Sequence, residues 1–474
     1  MAKHKVKSTI KFLGSASEQV TGSQYLIENS GKKILLECGG CQTNNMERDY
    51  QTNSRQFDFK PSELDYVFLG HLHSDHSMLI PKLVKEGFRG NIIVPKGSIP
   101  IIKIMLEDSA HIIGKDCEYL NKTRKKNYKP IYEKEDVADA LSLICEYDFK
   151  KKFKLDEFTS FEFYPSQHVM SSAQILLYLK NGTVTKKIHY TSDLGNIKFG
   201  KSLFTHNFVP VDNSFITIGE CTYSTPERSV RDVKDREKDL EKLKSTIDQF
   251  VIDNKSKILI PVFAFHRAQM MLKLIYDIYK DSTEDFDVVI DSPMAIKITN
   301  EFSLLLKGKE RAEYKKMLNW KRLKFVDDYE SSKACISSDR NMVVLSSSGM
   351  LSAGRSINHL QGIIEDPNAC VLLCGYASPN TLAGQIKEGN KKEIVVNGTS
   401  YKNKVQLVQL RTMSSHMQYD ELLSYYSNIN TNQIYLVHGN DSRYEFAQTL
   451  EDKCREKNKS TKIYVPNTDD IIEF

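Results

Sequence analysis

The chain of 474 residues lacks any apolar run of the roughly 18 residues that a membrane-spanning helix needs, so we expect no membrane span. Its basic N-terminal segment is not followed by an apolar stretch long enough for a signal peptide. The nine cysteines are odd in number and scattered, which favours a reducing compartment over a disulfide framework. These absences predict a soluble cytoplasmic protein with no membrane partner.

The chain also lacks a strong charge, an internal repeat and a second CxxC pair. Its net charge of +5 is a mild basic bias, compatible with a polyanionic partner but not indicative of one. The single CxxC pair, Cys38 and Cys41, has no second pair with which to complete a four-thiolate site, and we assign it no role. A length of 474 residues exceeds one average core and predicts two or three domains.

Short β-type runs alternate with helical patterns along the whole chain. Apolar side chains recur at helical spacing between the runs, as from Leu240 to Phe250 and from Met271 to Ile278. This alternation predicts an α/β fold built in layers. The β-type runs are KKILLEC, DYVFLG, NIIVP, QILLYL, KIHYTSD, SFITIGE, KILIPVFAF, DVVID, MVVLSSS, VLLCGY and QIYLVHG.

The segment HLHSDH, residues 71–76, is the densest cluster of titratable residues. It follows the apolar run 67–69 and precedes a helical pattern that ends at Gly87, which predicts a turn between the end of a strand and a helix. Open α/β sheets hold their functional sites at such turns. Three histidines and a buried aspartate are costly unless a positive charge offsets them, so the segment predicts a metal site.

The two halves of this motif can serve two metal ions. His71 and His73, at positions i and i+2, can reach one ion, and the adjacent Asp75 and His76 can serve a second. One zinc would leave ligands unused, whereas two zincs need more ligands. Further candidates follow strand-like runs, where an aspartate could also bridge two ions, although each histidine alone could equally be an ordinary core or surface residue. These candidates are His168, Asp193 and His438.

With these residues, a series of longer motifs resembles the metallo-β-lactamase superfamily, and within it the β-CASP nucleic-acid-processing branch. That branch includes the endonuclease subunit of the cleavage and polyadenylation specificity factor, ribonuclease J and compact bacterial ribonucleases. The resemblance implies a metallo-β-lactamase αββα sandwich over 1–221, an inserted α/β β-CASP domain over 222–404, and a return to the first domain over 405–474. The motifs are GECTYS, RTMSSH, LLECGG, EGFRGNIIVP, DSAHIIGKDCEYLN, IPVFAFHRAQ, DSPMA, SSSGMLSAGRSINHL and CGYASPNTLAGQI.

The resemblance also implies a ligand set for two Zn²⁺ per chain. One zinc would be held by His71, His73 and His168. The other would be held by Asp75, His76 and His438, with Asp193 bridging the two ions. Where the family usually has an aspartate, LLECGG has Glu37, a departure that puts the geometry around the ligands in question.

The catalytic residues that the resemblance implies are Asp75, Glu220 and His416. Asp75 would accept the proton of the attacking water, and His416, oriented by Glu220, would donate a proton to the leaving oxygen. For a phosphodiester this chemistry leaves a 5′-phosphate and a 3′-hydroxyl. The metal ligands alone would fit a thioesterase, a lactamase or a glyoxalase-like hydrolase equally well.

The implied function is a zinc-dependent ribonuclease that cuts single-stranded RNA in RNA processing or decay. His438 favours RNA, because DNA-cutting members of the family usually carry an aliphatic residue there. The chain ends soon after His438 and shows no N-terminal KH-like extension, so we expect an endonuclease rather than a ribonuclease J. The alternatives are a DNA nuclease, another hydrolase of the same fold, or an inactive scaffold paralogue. A homodimer or processing-complex partners are also compatible with the sequence.

Four residues are candidates for RNA-phosphate contacts. Arg267 follows a strand-like run, Arg355 follows a small-residue turn, and Ser347 and Ser348 could offer backbone N–H groups at a helix N-terminus. The alternative for the arginines is that each is at the surface or ion-paired. The basic run 122–129 reads as a solvated loop that could attract RNA at low salt.

Overall fold

The structure, a computed structural model, describes residues 7–14, 19–43, 45–199, 202–229, 232, 234–375, 377, 381–389 and 391–474. Parts of the motif CGYASPNTLAGQI, Tyr376 and 378–380, lie outside these ranges. The chain divides into two compact units: the first comprises Met1–Val230 with Ser415–Phe474, and the second, inserted in sequence, comprises Arg231–Ser414. Among the described residues, no helix combines the length and apolarity needed to cross a membrane.

The first unit begins with a series of strands interrupted by helices. The strands are β1 (Thr9–Gly14), β2 (Ser23–Asn29), β3 (Lys32–Leu36), β4 (Tyr66–Phe68), β5 (Asn91–Pro95), β6 (Ile144–Tyr147), β7 (Phe153–Lys154), β8 (Thr159–Pro165), β9 (Ala173–Asn181), β10 (Val184–Tyr190) and β11 (Ser214–Glu220). The helices are α1 (Met46–Asn53), α2 (Ser74–Ser77), α3 (Ile80–Lys85), α4 (Ile99–Arg124) and α5 (Lys134–Ser142). Short 3₁₀ helices cover Pro61–Glu63 and Pro226–Arg228.

The second unit follows, and the chain then returns to the first. The strands of the second unit are β12 (Lys257–Pro261), β13 (Asp287–Asp291), β14 (Leu323–Phe325), β15 (Met342–Ser346), β16 (Cys370–Leu373), β17 (Glu393–Val396), β18 (Thr399–Lys402) and β19 (Gln406–Gln409). Its helices are α6 (Asp235–Ile247), continued by a π-helical turn (Asp248–Asp253), α7 (Arg267–Tyr279), α8 (Pro293–Leu305), α9 (Gly308–Leu318), α10 (Tyr329–Ser337), α11 (Arg355–Ile363) and α12 (Leu382–Glu388). The return comprises α13 (Tyr419–Asn428), β20 (Thr431–Val437), α14 (Arg443–Glu456), β21 (Lys462–Tyr464) and β22 (Ile471–Glu473).

Two seven-stranded sheets face each other in the first unit. Their strand orders are β22-β1-β2-β3-β4-β5-β6 and β21-β20-β11-β10-β9-β8-β7. Side chains from both sheets form one core, in which the ring centroids of Phe68 on β4 and Phe161 on β8 lie 5.0 Å apart. Along β20, Tyr435 and Val437 enter this core, while Leu436 packs with α13 and α14 on the other face. Because both faces of the second half of β20 are buried, residues 434–437 form a continuous apolar run.

The second unit is built on a six-stranded parallel sheet of order β14-β13-β15-β12-β16-β19, with a separate β17–β18 hairpin. Every apolar run that the sequence predicted as a strand forms one, and the predicted α/β class is confirmed. The predicted helix after HLHSDH is confirmed as α3, and Gly87 follows it with a φ of +112°.

Candidate metal centre

The candidate metal ligands lie in the first unit at the ends of strands. His71 follows β4 closely, although Ser74–Ser77 form the short helix α2 where the sequence predicted only a turn. On the other sheet, β20 ends at Val437, directly before His438, and its parallel register pairs Val437 with Glu220 at the end of β11. Because parallel strands end at one edge of a sheet, residues far apart in sequence meet there.

His71, His73, His168 and Asp193 form the first ligand group, with one ligand atom from each lying within 4.8 Å of the others. His71 Nε2 lies 3.1 Å from His73 Nδ1, and His168 Nε2 lies 3.4 Å from the same atom. Asp193 Oδ2 lies 3.5 Å from His71 Nε2 and 3.6 Å from His168 Nε2. Ligands of a tetrahedral zinc ion are about 3.3–3.6 Å apart, so this spacing suits one such ion.

Asp75, His76 and His438 form the second ligand group, again with ligand atoms within 4.8 Å of one another. Asp75 Oδ2 lies 3.4 Å from His438 Nε2 and 3.7 Å from His76 Nε2. The other oxygen of Asp193, Oδ1, lies 3.4 Å from His76 Nε2. The structure therefore brings together all seven residues that the sequence singled out, with Asp193 facing both groups.

Several buried polar atoms in this cluster fit a cation. Both ring nitrogens of His76 and the Oδ1 atom of Asp193 are buried and make no hydrogen bond within the part of the chain that the structure describes. Buried polar atoms in proteins nearly always have a hydrogen-bond partner, and a bound ion is one explanation for exceptions. The imidazole and carboxylate donors around them are those that zinc takes.

The charges of the cluster also suit a divalent cation. Burial lowers the pKa of His73 to about 4, and Asp75 and Asp193 offset the effect only in part. Burial acts in the same direction on His76, but Asp193, Asp75 and Glu37 outweigh it and raise the pKa of His76 to about 10. Although burial opposes it, the surrounding histidines lower the pKa of Asp193. A cation would replace the proton on His76 and share the carboxylates.

Glu37 is fully buried behind the second ligand group and supports it. Its Oε1 accepts hydrogen bonds from the Gly70 N–H at 3.0 Å and the Ser192 hydroxyl at 3.2 Å, and lies 3.4 Å from His76 Nδ1. With Nδ1 facing Glu37, the Nε2 atom of His76 faces Asp75 and the bridging carboxylate. Glu37 has a longer side chain than the aspartate that the family usually has at this position. Its backbone φ is +59°, a conformation that is uncommon for residues other than glycine.

Two hydroxyl groups that the sequence analysis did not single out orient the histidines. Ser192 Oγ lies 3.1 Å from His71 Nδ1, and Thr222 Oγ1 lies 3.0 Å from His438 Nδ1. Such partners determine which ring nitrogen is left to face an ion. Ser192 lies in the segment KIHYTSD and Thr222 in GECTYS. In the sequence, only their closeness to Asp193 and Glu220 indicates that they belong to the site.

His416 and Glu220 meet beside the first ligand group. His416 Nδ1 lies 3.5 Å from Glu220 Oε1, and His416 Nε2 lies 4.0 Å from Asp193 Oδ2. Glu220 is held by the backbone N–H groups of Leu194 at 3.1 Å and Thr222 at 2.8 Å. Burial would lower the pKa of His416, but the two carboxylates raise it. The imidazole is partly exposed, so it can face a substrate.

The phosphate-contact candidates lie in the second unit. The guanidinium group of Arg355 pairs with Asp291 Oδ1 at 2.7 Å, so the ion-paired alternative holds for this arginine. Ser347 lies in the loop before α11, and Arg267 begins α7 with a largely buried side chain. The expected role of Ser348 at a helix N-terminus is wrong, because its N–H donates to the Ala353 carbonyl and α11 begins only at Arg355.

Three family profiles match separate parts of the chain. They describe a metallo-β-lactamase superfamily domain over residues 18–139, a β-CASP domain over 268–386 and a Zn-dependent metallo-hydrolase RNA specificity domain over 401–466. The chain belongs to the β-CASP branch of the metallo-β-lactamase superfamily. The family and the fold class expected from the sequence are thereby confirmed, and the chain is a metal-binding hydrolase.

Named relatives from several organisms resemble the chain over most of its length. Ribonuclease TTHA0252 of Thermus thermophilus is 28% identical over 435 residues, covering 90% of this chain and 92% of the relative. The probable RNase MJ4 of Methanocaldococcus jannaschii is 28% identical over 91% of this chain and 93% of its own. Integrator complex subunit 11 of Danio rerio is 24% identical over 95% of this chain and 72% of its own.

A solved structure shares the fold. A protein of unknown function from Enterococcus faecalis superposes with a TM-score of 0.55 over 99% of this chain and 100% of its own, at 12% sequence identity. Identity this low supports the shared architecture alone. The shared fold therefore does not indicate the function of the chain.

Proposed function

We propose that this β-CASP protein is a zinc-dependent endoribonuclease that hydrolyses phosphodiester bonds of single-stranded RNA in RNA processing or decay. The observation that carries the proposal is the position of Asp193, whose two carboxylate oxygens face two separate ligand groups. His416 Nε2 lies 4.0 Å from one of these oxygens, Oδ2. The RNA specificity domain and the relatives named as ribonucleases support RNA as the substrate.

In this proposal, seven side chains would hold two zinc ions. His71, His73 and His168 would hold one, and the other would be held by Asp75, His76 and His438, while Asp193 faces both ligand groups. Imidazole nitrogen and carboxylate oxygen are donors that suit zinc. Two zinc ions, when bound, would acidify a water molecule and neutralise charge on the phosphate group.

The chain's own residues supply the proton transfers. Asp75, at the edge of the second ligand group, accepts a proton from the attacking water as its oxygen bonds to phosphorus. In its protonated form, which Glu220 and Asp193 favour by raising its pKa, His416 carries a proton on both ring nitrogens. The Nδ1–H group faces Glu220, and the Nε2 proton is donated to the O3′ atom as the phosphorus–O3′ bond breaks. The products are a 5′-phosphate and a 3′-hydroxyl. We further propose that the enzyme acts in the cytoplasm, because its nine cysteines are odd in number and scattered along the chain, which favours a reducing compartment.

The test is to incubate zinc-loaded protein with matched single-stranded RNA, single-stranded DNA and duplex RNA, each end-labelled, and to map the product ends. We expect internal cuts in single-stranded RNA that leave 5′-phosphates, with slower cutting of the other two. Equal or faster cutting of DNA would contradict the assignment to RNA. Products released one nucleotide at a time from an end would contradict the endonucleolytic mode. His73→Ala serves as the control for contaminating nuclease.

A further inference from the structure

The second unit carries a groove between α10 and α11 that the proposed chemistry does not use. Its volume is about 380 Å³, and it is lined by Tyr329, Ser332 and Lys333 from α10, by Asn358 and Gln361 from α11, and by Tyr401 from β18. We call it the α10–α11 groove. A volume of this size falls in the range of small-ligand sites.

Aromatic and cationic groups lie together at the α10 side of the groove. Tyr329 is the first residue of α10 and is 61% exposed. The ammonium group of Lys333, one turn further along, lies 4.3 Å from the centroid of the Tyr329 ring. An exposed ring beside an ammonium group can stack on a planar ligand that carries negative charge.

Amide groups line the opposite side. The Gln361 side-chain amide donates to the Tyr401 hydroxyl, and Asn397 donates to Asn358 Oδ1 at 3.5 Å and Gln361 Oε1 at 3.4 Å. Side-chain amides both donate and accept hydrogen bonds, as the edges of nucleic-acid bases do. None of the described residues that line the groove is acidic, although Lys333 Nζ lies 3.4 Å from Oε1 of the exposed Glu330 beside it.

The N-terminal end of α10 places part of the groove at the carboxyl edge of the parallel sheet. Helix α10 begins at Tyr329, shortly after β14 ends at Phe325, so Tyr329 lies at the carboxyl edge of the sheet, where open α/β sheets bind ligands. Ser332 Oγ donates to the buried Asp291 Oδ2 at 2.6 Å. At the floor of the groove, a side chain at Gly362 would meet Ile336 Cγ2 at 2.8 Å, so the helices are in direct contact there.

From these observations we infer that the α10–α11 groove is a binding subsite for one unpaired base of the RNA strand. Tyr329 stacks on the base, the amides of Asn358 and Gln361 contact its edge, and Lys333 contacts an adjacent phosphate. The inference rests on the proposed function, because the ligand is the RNA strand that the metal centre would cut. A stacked base also favours single strands, since the bases of a duplex are already stacked on one another.

The test measures binding of a cut-resistant phosphorothioate single-stranded RNA to the full zinc-loaded chain. Tyr329→Ala should weaken binding by about 5- to 100-fold, the usual loss for one stacked base, and Tyr329→Phe should retain it. Lys333→Ala should lower the steepness of the salt dependence by about one phosphate contact. Tyr444→Ala, which removes a similarly exposed tyrosine on α14, is the matched control and should bind like the wild type.

A second ligand separates stacking from charge. Affinity for an oligomer of abasic ribose phosphates should be the same for Tyr329→Ala and the wild type, because no base is present to stack. Equal losses of affinity for both ligands in Tyr329→Ala would overturn the subsite. A change in oligomeric state on substitution would also overturn it and would indicate a protein–protein contact instead. Wild-type RNA binding that Tyr329→Ala leaves unchanged overturns the subsite and leaves the proposed function standing. No RNA binding by the wild type overturns both.

Discussion

Two buried clusters of histidine and aspartate, one in each unit, use the same residue types differently. In the first unit, the ring nitrogens of His76 and Asp193 Oδ1 make no hydrogen bond among the described residues. In the second unit, Asp291 Oδ1 accepts from Arg355 at 2.7 Å, and Asp291 Oδ2 accepts from Ser332 at 2.6 Å and lies 2.6 Å from His359 Nε2. The carboxylate of Asp291 therefore has hydrogen-bond partners without any ligand. The cluster of the first unit has buried polar atoms that a cation would satisfy.

This difference shows that residue composition alone does not distinguish a metal site from a structural network. The hydrogen bonds at each carboxylate do, because a buried polar atom without a partner costs free energy until an ion or a proton satisfies it.

The largest effect is expected from His416→Ala. Loss of a general acid should lower turnover about 10²- to 10⁴-fold while the metal content stays unchanged, because His416 lies outside both ligand groups. Turnover with saturating RNA and metal analysis of the same preparation measure the two quantities. Glu220→Gln should lose less, since a glutamine can still accept a hydrogen bond from the imidazole. Loss of metal from His416→Ala would make His416 a ligand and contradict its assigned role.

A large effect is also expected from loss of the support behind the second ligand group. Glu37→Ala should weaken metal binding about 10- to 100-fold, as substitutions of residues that orient metal ligands typically do. Competition with a chelator of known affinity measures the change. Glu37→Gln should lose less, because its side-chain oxygen can still accept from the Gly70 N–H. Unchanged metal affinity in Glu37→Ala would show that His76 is oriented without it.

The comparison is sharpened by replacing one histidine in each cluster. His73→Ala should lower both metal content and activity, whereas His359→Ala should keep the full metal content. Removing a hydrogen-bond partner of the buried Asp291 should instead destabilise the fold by about 1–3 kcal/mol. Metal analysis and denaturant unfolding of the two variants measure these effects. Metal loss in His359→Ala would show that the second cluster also holds an ion.

The smallest effect concerns acid stability. Burial tends to raise the pKa of Asp291, but hydrogen bonds from His359, Ser332 and Arg355 outweigh it and lower that pKa below its ordinary value of 3.8. Because the folded-state pKa is the lower one, the ionised carboxylate stabilises the fold at neutral pH, and this contribution is lost as the pH falls below about 4. Asp291→Asn should therefore be less stable at neutral pH but lose less stability between pH 5 and the acid limit than the wild type, as followed by unfolding at a series of pH values.

The sequence allowed the metal centre to be predicted more fully than the polar network of the second unit. HLHSDH concentrates four candidate ligands in six positions, and the remaining candidates follow strand-like runs that form β8, β10 and β20. The ion pair between Arg355 and Asp291 joins the first residue of α11 to the last residue of β13, and no local pattern links them. Ser192 and Thr222 were not predicted for the same reason: no local pattern links them to the histidines that they contact. The role of each hydroxyl group follows from the histidine that it faces, and this pairing is visible only in the fold.

The strands followed a similar rule. The strands with apolar runs could be predicted because both of their faces are buried, as at the end of β20. The short strands β7, β14, β21 and β22 have half-exposed sequences without such a run, and only their pairing with a neighbouring strand defines them. The hairpin β17–β18 likewise depends on packing of Ile394 and Val396 into the core of the second unit.

The central claim is that the ligand cluster of the first unit holds two zinc ions and that the Asp291 cluster holds none. The most direct test is metal analysis by mass spectrometry of the purified, active wild-type chain beside Asp291→Asn. The account predicts about two zinc ions per chain in both proteins, because seven ligands exceed one tetrahedral site and Asp291 is not a ligand. An active wild-type preparation with one ion or none, or a lower count in Asp291→Asn, would contradict it.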